Sequence, residues 1–241
     1  MSRVLCWYSD GVASAVAMKM AKEKYGDILA FFCDTHSEHP DNIRFRKEVE
    51  DWVGITVVEH SSLEYKDVDD VIEKTRWLRG VSGARCTTEL KKKVRLRIQQ
   101  PNDKHIFGYT FEEGKRIAQL LSDNWDLRME APLYTAKLKK DDCYKIIQEA
   151  GIEIPMMYRL GFNNNNCIGC LKAESPNYWN LIRIHFPDVF EKRVKQEREL
   201  GYALCRHRGK PIYLDELPPD LWPKKKESIS CDFVCGGTEA R

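Results

Sequence analysis

The sequence lacks three features that would assign it to a broad class of proteins. No apolar run approaches the roughly 20 residues that a membrane helix needs, and the first residues show neither the apolar core nor the cleavage site of a signal peptide. Net charge is small because 39 basic residues oppose 37 acidic ones, which argues against a general cationic coat for nucleic acid. We therefore expect a cytoplasmic protein with no membrane association, and the sequence does not fix its oligomeric state.

Cysteine, in contrast, is abundant, with nine residues in 241. An odd, unevenly spaced set without a secretory signal does not indicate a disulfide framework. Cys6, Cys33 and Cys143 lie inside apolar patterns and are expected to be small core residues. The clustered cysteines further along indicate metal or redox chemistry.

The first two thirds of the chain alternate between short apolar runs and helical patterns. This alternation predicts a doubly wound, mostly parallel α/β sheet. We expect its first four strands at Val4–Tyr8, 28–33, 56–59 and 105–109, and a last strand or turn at 131–134.

The last third has a different composition, with loops, an asparagine run and two pairs of cysteines. Prolines at the first turns predict helices over Pro176–His185 and Pro187–Leu200. We interpret residues 1–151 as a nucleotide-binding domain and residues 152–241 as a cysteine-rich, metal-binding helical subdomain.

The segment Ser9-Asp10-Gly11-Val12-Ala13-Ser14 follows the first strand and leads into a helix. A loop at this place lies where parallel sheets bind ligands, and the N–H groups and dipole of the helix start suit phosphate oxygens. Gly11 allows close approach of an anion, and Ser9 and Ser14 add hydroxyl groups. Taken alone, this short pattern is also typical of an ordinary turn that caps a helix.

Further short motifs follow the loop in a fixed order, namely Asp34-Thr35, Cys86-Thr87-x-x-x-Lys91, Gly108-Tyr109-Thr110-x-x-Glu113-x-x-Arg116, Pro132-Leu133 and Cys167-x-x-Cys170. Together with the loop they resemble the phosphoadenosine phosphosulfate (PAPS) reductase-like group. That group belongs to the adenine-nucleotide alpha-hydrolase superfamily, with the N-type ATP pyrophosphatases. The resemblance implies an adenine-nucleotide-binding enzyme whose loop is a pyrophosphate loop (PP-loop).

The resemblance also implies roles for individual residues. Ser9, Asp10, Gly11, Ser14 and Gly108 would hold the nucleotide, which is ATP or a related adenylyl sulfate. Asp34 would meet the adenosine or the substrate, and Lys91 and Arg116 would offset phosphate charge. The chain departs from the pyrophosphatase pattern at Asp10, Ala13 and Thr110. Asp10 would place a carboxylate beside the phosphates, which Mg²⁺ or a basic group must offset.

Five cysteines are candidate metal ligands: Cys86, Cys167, Cys170, Cys231 and Cys235. Thiolate sets of this kind hold zinc or iron–sulfur clusters. Cys86 precedes Cys167 by 81 residues, a spacing similar to that in the cluster-bearing sulfonucleotide reductases. We therefore favour a [4Fe–4S] cluster over Zn²⁺. Two ligand sets stay open: the two pairs Cys167/Cys170 and Cys231/Cys235, or Cys86, Cys167 and Cys170 with one of Cys231 and Cys235.

Three functions remain open at this stage. The first is an enzyme that uses ATP or an adenylyl sulfate in sulfur transfer or substrate adenylation, with Mg²⁺ and a sulfur-donor protein as candidate partners. The second is a sulfonucleotide reductase, in which a thiolate attacks the sulfur of PAPS or adenylyl sulfate. The third is a non-catalytic protein that binds nucleotide or nucleic acid and holds a structural metal. For nucleic acid, the basic segments at 91–97, 206–210 and 224–226 would follow the backbone.

Overall fold

A computed structural model describes residues 2–80 and 83–223. Its centre is a five-stranded sheet in the order β3-β2-β1-β6-β7, in which every neighbouring pair is parallel. The strands are β1 (Val4–Tyr8), β2 (Leu29–Cys33), β3 (Val57–His60), β6 (Lys104–Ile106) and β7 (Met129–Glu130). Two short antiparallel hairpins pair β4 (Arg79–Gly80) with β5 (Gly83–Ala84), and β8 (Cys205–His207) with β9 (Lys210–Ile212). The predicted α/β fold with a mostly parallel sheet is confirmed.

Helices cover both faces of the sheet because successive strand residues point to opposite sides. On one face, Cys6 and Tyr8 pack with α1 (Val12–Tyr25), α2 (Asn42–Val53) and α8 (Lys140–Glu149). On the other, Leu5 and Trp7 pack with α5 (Lys93–Ile98) and α6 (Gly114–Asp123). Strands buried on both faces account for the nearly continuous apolar runs in the sequence.

A third apolar cluster lies outside the sheet and joins distant parts of the chain. It contains residues of α3 (Val68–Thr75) and of the short α4 (Arg85–Thr87), which leads through a π-helical turn, Thr88–Lys92, into α5. Further members come from α9 (Met156–Arg159), α10 (Pro176–His185) and α11 (Pro187–Leu200), and from the segments between and after these helices. The core of the C-terminal region is thus completed by residues that precede the predicted boundary at 151, and that boundary stays a prediction.

Several predicted elements match the structure closely. The strand Val4–Tyr8 and the helices Pro176–His185 and Pro187–Leu200 have the predicted bounds. The fourth strand ends early, at Ile106, and the predicted last strand or turn is a strand at Met129–Glu130 followed by a helical turn, α7 (Pro132–Thr135). Pro132 at the first position of that turn fixes a helical φ and donates no N–H to a strand ladder.

No helix within the described ranges is both long enough and apolar enough to cross a membrane.

Candidate nucleotide-binding site

The phosphate loop occupies the three residues between β1 and α1. The Ser14 hydroxyl donates to the Gly11 carbonyl at 2.9 Å, and its oxygen accepts from the Ser9 amide at 3.2 Å. The Ser9 and Ser14 hydroxyls are 3.1 Å apart. The two serines therefore hold the loop closed over the first turn of α1, where amide groups are available to an anion.

Asp10, between these residues, turns away from the ligand side of the loop. Its backbone φ of 55° is left-handed, a conformation that glycine favours and aspartate tolerates. The carboxylate is fully buried and accepts two hydrogen bonds from Arg46 of α2, at 2.9 Å from Nε and 2.6 Å from Nη2. Arg46 also pairs with Glu59 of β3.

This ion pair corrects the expectation that the Asp10 carboxylate lies beside the nucleotide phosphates. The basic group that offsets it is Arg46, whose guanidinium carbon also lies 3.8 Å from the centre of the Phe32 ring. Burial raises the pKa of Asp10 to about 6 even though Arg46 acts in the opposite direction. Nothing in the sequence near Arg46, on an ordinary amphipathic helix, indicated this role.

The asparagine segment, residues 163–166 of the C-terminal region, contacts the loop from the other side. The Asn165 side-chain amide donates to the Asp10 carbonyl at 2.7 Å and to the Asn42 amide oxygen at 2.9 Å. Tyr158, just before this segment, accepts hydrogen bonds from the backbone amides of Asn165 and Val12. The loop is therefore held by residues more than 140 positions away in the sequence.

A cavity of about 360 Å³ opens above the loop, within the size range of small-molecule sites. Six of the predicted site residues line it: Ser9, Gly11, Ser14, Lys91, Gly108 and Arg116. Aromatic side chains of β1, β2 and the segment after β6 form much of the wall. Gly108 lies so close to α1 that a Cβ atom there would be 2.7 Å from the Ser14 Cα.

Three cationic side chains line this cavity. Lys91 comes from the π-helical turn, and Arg116 comes from α6, with its guanidinium carbon 5.0 Å from the centre of the Tyr109 ring. Lys140, which no sequence motif indicated, begins α8 and donates to the Asn164 side-chain oxygen at 2.6 Å. Burial lowers the pKa of Lys140 to about 8. Glu113 pairs with Arg116, so the cavity is not purely cationic.

Two buried phenols in the same wall have unsatisfied hydroxyl groups. Within residues 2–80 and 83–223, the hydroxyl oxygens of Tyr8 and Tyr109 are buried and have no hydrogen-bond partner. Burying a polar group without a partner costs about 1–3 kcal/mol. A polar ligand in the cavity would supply those partners.

Asp34 is not among the residues that line the cavity, in contrast to its predicted role. It follows β2, and both of its carboxylate oxygens interact with His36, at 2.8 Å from the backbone amide and 2.8 Å from the imidazole Nδ1. His36 adopts a left-handed φ of 52°, which turns its amide back toward Asp34. Asp34 thus forms a local turn.

The described cysteines among the predicted ligands converge on the third apolar cluster. Cys86, Cys167 and Cys170 are buried there together with Cys205, which the sequence left unassigned. Cys167 Sγ lies 3.1 Å from the Thr35 hydroxyl. Gly169 in the turn has a φ of 68°, and a Cβ there would lie 2.6 Å from Val189 Cγ1, so glycine is required.

These cysteines do not form a metal-binding set in the described part of the chain. Across residues 2–80 and 83–223, no group of three or more His, Cys, Asp or Glu side chains is arranged to hold a metal ion. The predicted ligands Cys231 and Cys235 lie outside the described residues.

The lowered pKa of Lys140 leads to a pH-dependent prediction. Below pH 8 the amine is protonated and attracts an anionic ligand, whereas above pH 8 binding must first take up a proton. We expect the affinity for an adenine nucleotide to fall by up to tenfold per pH unit above pH 8. In K140M it should be about 10- to 100-fold weaker at pH 7 and independent of pH from 7 to 9.5.

Calorimetric titration at several pH values measures this dependence. Lys139, exposed and adjacent, provides the matched control, and K139M should follow the wild-type curve. A wild-type affinity that does not change between pH 7 and 9.5 would contradict the assigned role of Lys140.

The fold and this site define an α/β domain with a parallel sheet and a serine-containing loop between its first strand and first helix. The family model described as the phosphoadenosine phosphosulfate reductase domain matches residues 3–176. The chain belongs to this family.

A solved structure has a similar fold. It is the PAPS reductase of Candida auris in complex with phosphate, with a TM-score of 0.52 and 12% sequence identity. The similarity covers 69% of this chain and 82% of that one. A search of curated protein sequences gave no match.

Proposed function

We propose that this chain is a sulfonucleotide reductase-type enzyme. It binds PAPS or adenylyl sulfate in the cavity above the serine-containing loop, which we call the main cavity. The observation that carries the proposal is the convergence of Lys91, Arg116 and Lys140 on a serine loop at a helix start, in a domain of this family. Three cations and a helix N-terminus suit a ligand with several anionic groups. The aromatic wall provides an apolar surface for the adenine ring.

The proposed reaction requires the cavity to stabilise negative charge on the leaving group. When a thiolate attacks the sulfur of the sulfonucleotide, the bond between that sulfur and the phosphate oxygen breaks. The bonding electrons remain on the oxygen, so negative charge grows on the departing adenosine phosphate. Cations fixed in place before the reaction stabilise this charge without reorganisation. A second thiol then releases sulfite and leaves a disulfide, and a thiol-bearing protein partner would reduce that disulfide.

Product analysis of the full chain tests the proposal. We expect sulfite and an adenosine phosphate to form from PAPS or adenylyl sulfate in the presence of a dithiol reductant. R116M should lower kcat/KM by about 10- to 150-fold, because it removes a charged donor from the leaving group. K115M, which changes the exposed neighbour, should match the wild type.

The assay also separates the alternatives. Pyrophosphate release from ATP without sulfite from either sulfonucleotide would replace the proposal with the ATP-using function. Tight nucleotide binding without any product would favour a non-catalytic binding protein.

The carboxylate within the phosphate loop does not fit a role in holding Mg²⁺. Asp10 is fully buried and its two oxygens are bound by Arg46. ATP adenylation commonly needs a divalent cation near the transferred phosphates. Because Arg46 already binds the Asp10 carboxylate, a sulfonucleotide is favoured over ATP as the substrate. The proposed reaction contains no step through Mg²⁺.

A thiolate-bound cluster remains a separate proposal. Its support is the burial of Cys86, Cys167 and Cys170 in one apolar cluster. The described residues alone do not fit a metal ion, and a fourth ligand would have to come from Cys231 or Cys235. The proposed reaction therefore uses no step through a cluster. Iron and zinc analysis of the full chain purified without oxygen decides between [4Fe–4S], Zn²⁺ and no metal.

A further inference from the structure

A second cavity of about 310 Å³ lies in the C-terminal region. Its wall combines amide side chains with aromatic rings, and it includes the N-terminal end of α10. Phe162 and Tyr178 form a buried edge-to-face pair with ring centres 5.3 Å apart. Trp222, in contrast, is 45% exposed, so a large flat apolar surface borders the opening.

The second cavity adjoins the main one through the asparagine segment. Asn164 and Asn166 line both cavities. Asn164 also accepts the hydrogen bond from Lys140 described above. A ligand in the second cavity would therefore lie one layer of side chains away from a nucleotide in the main cavity.

The hydrogen-bonding groups of this wall suit a planar ring that carries both donors and acceptors. Asn177 donates from its amide nitrogen to the Pro223 carbonyl at 2.8 Å. Its amide oxygen is buried and has no partner within residues 2–80 and 83–223. That oxygen needs a donor. The edge of a nucleobase presents N–H donors, and its face can stack on an indole ring.

A basic hairpin is connected to the segment that begins α10. The Arg206 amide donates to the Glu174 carbonyl at 2.7 Å, which ties the β8–β9 hairpin to the segment that begins α10. This hairpin exposes Arg206, Arg208 and Lys210. Exposed lysines and arginines beside an aromatic surface are typical of sites that bind nucleotides.

We propose that the second cavity binds a nucleobase, with the ring against Trp222 and its edge at Asn177. This binding goes beyond the proposed function and can be measured separately from it. The base can belong to a free nucleotide or to a single-stranded nucleic acid.

Calorimetry on the full chain tests this binding with the main cavity saturated by adenosine 3′,5′-bisphosphate. The probes are UMP, CMP, GMP and AMP, and an eight-nucleotide single strand of mixed sequence. We expect at least one probe to bind. W222A should weaken that binding at least about fivefold through loss of stacking, and N177A should weaken it about two- to tenfold.

W125A is the matched control, because Trp125 is 90% exposed and does not line the cavity. It should bind the probes as the wild type does. Tighter, salt-sensitive binding of the strand than of any monophosphate identifies a nucleic-acid base, and equal binding identifies a free nucleotide.

Three results would overturn the proposal: no binding of any probe, an unchanged affinity in W222A, or displacement of the probe by excess adenosine bisphosphate. Failure of the wild type to bind adenosine bisphosphate would instead contradict the proposed function. R116M should weaken binding of the bisphosphate and leave binding of the probes unchanged, so failure of this proposal can be distinguished from failure of the proposed function.

Discussion

G108A should decrease the affinity for an adenine nucleotide at least about 100-fold. The added Cβ would lie 2.7 Å from the Ser14 Cα, 2.8 Å from the Ser14 nitrogen and 3.0 Å from the Ala13 carbonyl carbon. All three contacts are with backbone, so no flexible side chain can move aside. The first turn of α1 or the segment after β6 must shift, and either shift displaces groups that line the cavity. Overpacking of this kind also costs about 1–3 kcal/mol of stability.

G151A controls for the loss of stability in this experiment. Gly151 has a φ of 75°, and a Cβ there would have no atom within 4 Å. Alanine at this position costs about 1 kcal/mol through its left-handed backbone alone, and Gly151 does not line the cavity. Urea unfolding and nucleotide titration of both variants should show lower stability in each and lost binding in G108A only. Wild-type affinity in G108A would show that the contact with α1 does not shape the site.

R46M should cause the largest loss of stability, about 3–5 kcal/mol at pH 8. Methionine can still cover the Phe32 ring that Arg46 contacts, but it leaves the Asp10 carboxylate buried without its cation. Breaking a buried ion pair by removing one partner is costly because an uncompensated charge remains. The double variant D10N/R46M should recover much of the loss, since its buried group is neutral.

The loss should depend on pH in a defined direction. The pKa of Asp10 is already raised to about 6 by burial, and removal of Arg46 raises it further. When the pKa of a carboxyl is higher in the folded state than in the unfolded chain, the free energy of unfolding increases as the carboxyl becomes protonated. The destabilisation of R46M is therefore greatest above pH 7 and shrinks as the pH falls toward 5. Urea unfolding at pH 5 and pH 8 measures both values.

K47M is the comparison variant, because Lys47 forms an exposed pair with Asp51 on the same helix. Exposed pairs contribute about 0–1 kcal/mol. Equal losses in K47M and R46M, or a loss in R46M that grows at low pH, would rule out the buried pair as the cause.

The sheet could be predicted because short local patterns in the sequence indicate its strands. Strands buried on both faces are short apolar runs, and Val4–Tyr8 shows such a run without interruption. Prolines at first turns marked both α10 and α11. The two short hairpins, β4–β5 and β8–β9, have only two or three residues per strand, which is too few for a periodic pattern. They depend on tertiary contacts instead.

The site was predictable only where a residue belongs to a continuous motif. Ser9, Gly11 and Ser14 lie together in the sequence and in the cavity wall. Lys140 acts from a helix start that resembles any charged, solvated one, and its burial is visible only in the folded chain. The motif also did not indicate that the Asp10 side chain contacts Arg46 of α2. The spacing of residues in a sequence motif does not determine the direction in which a side chain points.

The hydrogen bond from Asn165 to the Asp10 carbonyl spans 155 residues, and this separation has a consequence for the growing chain on the ribosome. Domains generally fold as units during synthesis, N-terminal domains first. Until residues 163–166 have been made, the loop can be held only by its serines and by the ion pair between Asp10 and Arg46. The complete set of contacts around the loop therefore forms late in translation, when the chain has extended beyond residue 165.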